Sequence, residues 1–99
     1  MISRLHDEIS LICRLDHVGI AKLLDFIENE EYFYLVLEYC SGGDLSALIK
    51  KGRINEDISR NYMHQIVDAL KYLKTLNIIH RDLKPQNILL YFFMLKSFF

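Results

Sequence analysis

The 99-residue sequence predicts an α+β fold, on three observations. Two apolar and aromatic runs, 20–27 and 32–39, flank the turn residues Glu28-Asn29-Glu30-Glu31 and read as an antiparallel strand pair. A segment of about twenty residues after Asn55 keeps a helical period. Between them, Gly42-Gly43 cannot continue a strand cheaply and marks a linker. A small piece of sheet carrying one helix is therefore expected, followed past the linker by a helical piece.

The elements follow in order. Ser3 can cap a first helix, with Asp7 and Glu8 in its early turns, where the helix dipole favours acids. Leu5, Ile9, Leu11, Ile12 and Leu15 give it a broad apolar face through about Asp16. His17-Val18-Gly19 breaks it. The second strand run, Tyr32 to Tyr39, is apolar on both faces, which predicts burial on both. Asp44 can cap a short helix from Leu45 to Lys50. Asn55 caps the longest helix, with Glu56 and Asp57 in its first turn and Lys71 and Lys74 towards its negative end. Ile58, Tyr62, Ile66, Ala69, Leu70, Leu73 and Leu76 form its apolar stripe, the mark of a central core helix of roughly 30 Å. His64 on it reads as a structural histidine.

Composition removes several classes of function. An apolar fraction of 52% is enough for a core and too high for a disordered chain. With 12 basic and 13 acidic residues the net charge is −1, which gives no electrostatic case for nucleic acid or an anionic membrane. Cys13 and Cys40 are isolated and read as free thiols, an expectation that favours a cytoplasmic setting. The histidines show no zinc-ligand spacing. The opening residues carry no signal-peptide pattern, and the apolar run 88–95 is far short of the roughly 20 residues that span a bilayer, so no transmembrane segment is expected.

The chemistry gathers in Ile78-Ile79-His80-Arg81-Asp82-Leu83-Lys84-Pro85-Gln86-Asn87-Ile88-Leu89-Leu90. The apolar ends, 78–79 and 88–90, read as short buried strands pinning a polar loop. Pro85 pushes Lys84 out of the α region. Asp82 can accept a proton from a hydroxyl, Lys84 can hold an anionic oxygen, and the Asn87 amide oxygen is a hard neutral ligand suited to magnesium. Singly, each reads as part of a polar turn. Together they are what phosphoryl transfer to an alcohol needs, because that reaction is mostly positioning and charge neutralisation.

On His80-Arg81-Asp82-Leu83, Asn87 and the apolar strand after it, the sequence resembles the eukaryotic protein kinases. Lys84, two residues after the aspartate, looks like the serine/threonine-specific branch. The resemblance implies ATP and Mg²⁺ as cofactors and a protein substrate. It implies Asp82, Lys84 and Asn87 as catalytic residues, with Asn87 also a metal ligand. His80 would anchor the loop backbone and Arg81 would face a phosphate on an activation loop. Glu38-Tyr39-Cys40-Ser41-Gly42-Gly43-Asp44-Leu45 resembles the kinase hinge. There Leu37 would back the adenine pocket, Glu38 and Cys40 would offer backbone hydrogen bonds to adenine, Asp44 would reach the ribose, and Leu89 would form the floor. The hinge wording looks closest to the autophagy-initiating kinases, which implies scaffold proteins of that type as partners. The first helix resembles the regulatory C-helix, and Glu8 would pair with an ATP-positioning lysine that the 99 residues do not contain.

The resemblance covers residues 1–90 and stops there; 91–99, Tyr-Phe-Phe-Met-Leu-Lys-Ser-Phe-Phe, reads as a divergent apolar tail, exposed and prone to aggregation. A Gly-rich loop, the strand lysine, an Asp-Phe-Gly and an activation loop are missing from the sequence. The expectation is a serine/threonine protein kinase by family and weak or absent activity in this truncated form. The alternative is a non-catalytic fragment that competes for kinase partners.

Overall fold

The computed structural model describes residues 2–91 and 94–97. Helix α1 (Ile2–Cys13) is followed by strands β1 (Leu23–Glu28) and β2 (Phe33–Leu37), helices α2 (Leu45–Lys50) and α3 (Glu56–Thr75), a 3₁₀ turn (Pro85–Asn87), and strands β3 (Ile88–Tyr91) and β4 (Met94–Ser97). The strands form two antiparallel pairs, β1 with β2 and β3 with β4. The architecture is the α+β one that the patterning predicts.

The two later helices begin where their capping chemistry places them. Asp44 Oδ1 accepts from the Ala47 N–H at 2.8 Å, and Asn55 Oδ1 from the Asp57 N–H at 2.7 Å. Both side chains satisfy donors that have no partner inside their helix. The first helix differs from expectation. It starts at Ile2, so Ser3 lies inside it and does not cap it, and it ends at Cys13, short of Asp16.

Helix α3 separates two apolar clusters. Leu15, Ile20, Ala69 and Leu73 form one, with Ile12, Leu70, Tyr72 and Ile78 against it. Leu45, Ile88, Leu90 and Leu95 form the other, with Leu48, Ile54, Tyr62 and Ile66. Along α3 the stripe is buried at Ala69 and Leu73 and half-buried at Tyr62, Ile66 and Leu70, while Ile58 near its start and Leu76 just past its end are 46% and 45% exposed.

Three expectations are corrected here. Ile78-Ile79 is not a buried strand: no strand is assigned to it, and Ile79 is 79% exposed. All five residues of β2 are exposed, so its apolar character does not signify burial in this fold. Most consequential is the end of the chain. The tail set apart at residue 91 does not leave the fold there. Tyr91 closes β3, and Met94–Ser97 pair with it in register, Leu89 opposite Lys96 and Leu90 opposite Leu95. Leu95 is 3% exposed, and Ser97 exchanges backbone hydrogen bonds with Gly19 (2.8 Å) and Ala21 (2.7 Å). A strand needs only an inward apolar residue and a partner for its backbone, and Leu95 with β3 supplies both. Phe92, Phe93, Phe98 and Phe99, on which the aggregation expectation also rests, lie outside the described residues.

The linker lies directly on β3. The Gly42 N–H donates to the Leu90 carbonyl at 2.9 Å, and the Leu90 N–H to the Gly43 carbonyl at 2.8 Å. A Cβ at Gly42 would meet Leu90 Cβ at 2.6 Å and Leu90 O at 2.7 Å. One of those atoms is backbone and cannot step aside. Gly42→Ala is therefore expected to lower stability by about 1–3 kcal/mol through overpacking, measured as a drop in the urea midpoint at unchanged slope. An unshifted midpoint would contradict the close approach.

Candidate functional site

The loop between Ile79 and Ile88 is held by its own side chains. The Asp82 N–H donates to His80 Nδ1 at 3.2 Å. A ring nitrogen that accepts carries no hydrogen, so the neutral imidazole has its hydrogen on Nε2, which donates to Ser97 Oγ at 2.9 Å. His80 thus anchors the loop backbone and ties it to β4. Lys84 is extended (φ −156°, ψ 160°), as a residue before proline must be, and Pro85 opens the 3₁₀ turn that ends at Asn87.

This geometry brings Asp82, Lys84 and Asn87 together. Asn87 Nδ2 donates to the Asp82 carbonyl at 2.8 Å and to Asp82 Oδ2 at 3.0 Å. Lys84 Nζ lies 3.4 Å from the same Oδ2. With both partners on Oδ2, Asp82 Oδ1 is the oxygen left for another molecule. The side chains of Asp82 and Lys84 are 68% and 49% exposed, so the pair is open to solvent and to a substrate.

The hinge residues form a second group. Asp44 forms an antiparallel bridge with Leu89, so the cap of α2 and the middle of β3 are neighbours. Leu37 ends β2 opposite Leu23 and is 36% exposed. The Glu38 N–H donates to the Lys22 carbonyl at 2.9 Å, so that N–H is already committed within the fold. The Glu38 side chain is also engaged. Its Oε1 accepts from the Lys22 N–H at 2.8 Å and from Lys96 Nζ at 3.1 Å. Burial alone would raise the Glu38 pKa, but the Lys22 N–H and the Lys96 ammonium outweigh it and hold the carboxyl below its ordinary value.

Cys40 is buried, and burial, reinforced by the Glu38 carboxylate and opposed by Lys96, pushes its thiol up. Cys13 is exposed. Iodoacetamide at pH 8 is expected to modify Cys13 at least about ten times faster than Cys40, because the thiolate is the nucleophile. Peptide mass mapping over time checks this, and equal rates would contradict the buried placement.

Glu8 stands apart from the hinge. It lines a cavity of about 380 Å³ between α1 and the loop, with Leu11, Ile12, Ile78, Arg81 and Asp82 among the other walls. Lys84, Asn87, Leu89 and the hinge residues do not line it. Asp82 is therefore the residue that the Glu8 cavity and the Asp82–Lys84–Asn87 cluster share.

Sequence reasoning missed Lys96 and Ser97, which lie in the stretch set aside as tail, and also the setting of His17. His17 Nδ1 accepts from the Gly19 N–H at 2.9 Å, its Nε2 meets Asp68 Oδ2 at 3.1 Å, and its ring lies 5.0 Å from that of Tyr72. Met94-Leu95-Lys96-Ser97 does not alternate, its burial running exposed, buried, half-buried, half-buried, so period-2 patterning gave no signal for β4. Among the described residues no helix is long and apolar enough to cross a membrane, and no group of three or more His, Cys, Asp and Glu could hold a metal ion.

The family pattern described as protein kinase domain matches residues 2–96. A probable serine/threonine-protein kinase, fhkD of Dictyostelium discoideum, is 41% identical over 88 residues, which are 88% of this chain and 12% of that protein. The solved structure of Rad53 1-466 in complex with AMP-PNP superposes with a TM-score of 0.91 at 37% identity, over 95% of this chain and 26% of that one. The chain thus spans about an eighth of the curated relative and about a quarter of the solved structure.

Proposed function

This chain belongs to the protein kinase domain family, and from that premise we propose that its 80–87 loop is the proton-accepting part of a serine/threonine kinase site that moves a phosphoryl group from ATP to a protein hydroxyl. The observation that carries the reading is the convergence of Lys84 and Asn87 on one carboxylate oxygen of Asp82, at 3.4 and 3.0 Å. The other oxygen, Oδ1, takes the hydroxyl proton as the substrate oxygen attacks. Lys84 steadies the charge that develops on the transferring group. Its position two residues after Asp82, and the serine/threonine kinase name of the matched relative, support that branch of the family.

The residues suit Mg²⁺ as a partial ligand set. Asn87 turns its NH₂ group inward to Asp82, which directs its amide oxygen the other way, a hard neutral ligand of the kind magnesium takes. A bound Mg²⁺ supplies neutralisation of phosphate charge. For ATP, the backbone of Glu38 and Cys40 would hydrogen-bond the adenine edge, and Leu89 and Leu37 would supply apolar contact to the base. The Asp44 Oδ1 is occupied as a helix cap, so Oδ2 is the atom that would accept from a ribose hydroxyl. ATP binding in the Rad53 complex, seen through AMP-PNP, supports this cofactor by similarity. The likeness to autophagy-initiating kinases and their scaffolds, read from the wording of 38–46 within a match over roughly 35–90, has no support in the matched relatives and forms no part of the proposal. A cytoplasmic setting, favoured by free thiols, does.

The 99 residues by themselves contain no Gly-rich loop and no Asp-Phe-Gly. Phosphate clamps act as a unit, and losing one collapses the whole. Incubated alone with γ-labelled ATP and a generic protein substrate, the chain is expected to transfer no more phosphate than its Asp82→Asn form. Transfer clearly above that control would overturn the inactivity of the isolated segment. A second reading, a non-catalytic fragment that binds kinase partners, draws on one observation: every residue of the apolar strand β2 is exposed. Partner capture unaffected by Asp82→Asn would favour it.

A further inference from the structure

We propose that Lys96, in the stretch that sequence reasoning set aside, is a positioning residue that fixes the hinge for the adenine base. The proposal rests on the nucleotide-binding reading of the hinge given above. Lys96 stands opposite Leu89 in the β3–β4 register, on the strand beside the adenine floor. From there its ammonium reaches Glu38 Oε1 at 3.1 Å, with the two side chains only 13% and 25% exposed. The Lys96 ammonium also lies 5.8 Å from the centre of the Tyr91 ring.

Glu38 is where the pin acts. β2 ends at Leu37, and the next residue makes a two-way lock with Lys22, N–H to carbonyl at 2.9 Å and carboxylate to N–H at 2.8 Å. The one carboxylate oxygen that takes the Lys22 N–H also takes Lys96. Lys96 therefore holds in one geometry the residue whose carbonyl, and whose neighbours Tyr39 and Cys40, form the edge offered to adenine. Its charge is felt at Cys40 as well, where it opposes the rise of the thiol. A charge-assisted hydrogen bond between largely covered groups is stronger and more directional than an exposed ion pair, so it can set a backbone and not merely decorate a surface.

The test is an NMR titration of the full 99-residue chain with ATP and, separately, with tripolyphosphate, following the amides of 38–44. Lys96→Met is expected to weaken ATP binding about tenfold, the effect of one well-placed contact, and to leave tripolyphosphate binding unchanged. Lys96→Arg, which keeps the charge, should stay within about twofold of the original. A role confined to stability would move the melting temperature and not the ratio between the two ligands. If Lys96→Met does not fold, Glu38→Gln reads the same link, since it keeps an acceptor for Lys22 and removes the charge; it too should weaken ATP selectively. If the unaltered chain binds ATP and these variants bind it equally well, the role of Lys96 is overturned. If the unaltered chain shows no ATP shifts at 38–44, the nucleotide-binding reading itself fails, and this inference with it.

Discussion

Leu73→Ala is expected to destabilise the fold by about 3–5 kcal/mol, a large part of what a chain of this size has. Leu73 is 2% exposed and sits between Leu15, Ile20 and Ala69. Its replacement removes transfer energy and leaves a cavity. The cavity cannot close readily, because its walls come from three separate places: Leu15 just past the end of α1, Ile20 in its parallel bridge to Ser97, and α3 itself. Alanine's better helix propensity returns only a few tenths of a kcal/mol. Chemical denaturation of both forms checks the value. Val67→Ala on the same helix, where Val67 is 41% exposed, is the control and should cost under about 1 kcal/mol. Similar losses at the two positions would show that the cluster is not packed as described.

Asp82→Asn has the largest expected effect on chemistry. In a complete kinase domain that carries residues 2–96 of this chain in place of its own matching segment, the substitution should lower phosphate transfer by about 10²–10⁴, the usual worth of a positioned base. The amide keeps the shape of the carboxylate and an acceptor for Asn87, so the loop is expected to hold. The ion pair lost with Lys84 joins groups 68% and 49% exposed, and such pairs contribute little to stability. The expected signature is therefore a fall in kcat with the KM for ATP and the melting temperature nearly unchanged. Retained activity would remove Asp82 from the proposed role. A parallel collapse in stability would give it a structural one.

How far the sequence could be read depended on how local each feature is. The caps at Asp44 and Asn55 were legible because a capping side chain and its target lie two or three residues apart. The Asp82–Lys84–Asn87 cluster was legible for the same reason: six consecutive positions and one proline set it. The exposure of β2 was not, since burial belongs to what packs on a strand and not to the strand. Lys96 and β4 were hidden further still. Their meaning lies in Leu89, Glu38 and Gly19, and nothing in Met-Leu-Lys-Ser points to residues so distant in sequence.

The bonds between Ser97 and the Gly19–Ala21 segment join points separated by more than three quarters of the chain. Such a closure carries a loop entropy that rises only slowly with length, so its long span adds little beyond what a shorter closure would cost. Its weight falls on kinetics. Assembly depends on a contact of high order, and until Leu95 arrives the cluster of Leu45, Ile88 and Leu90 stays unsealed. The helices can form early, but the native topology waits for its most distant partners to meet.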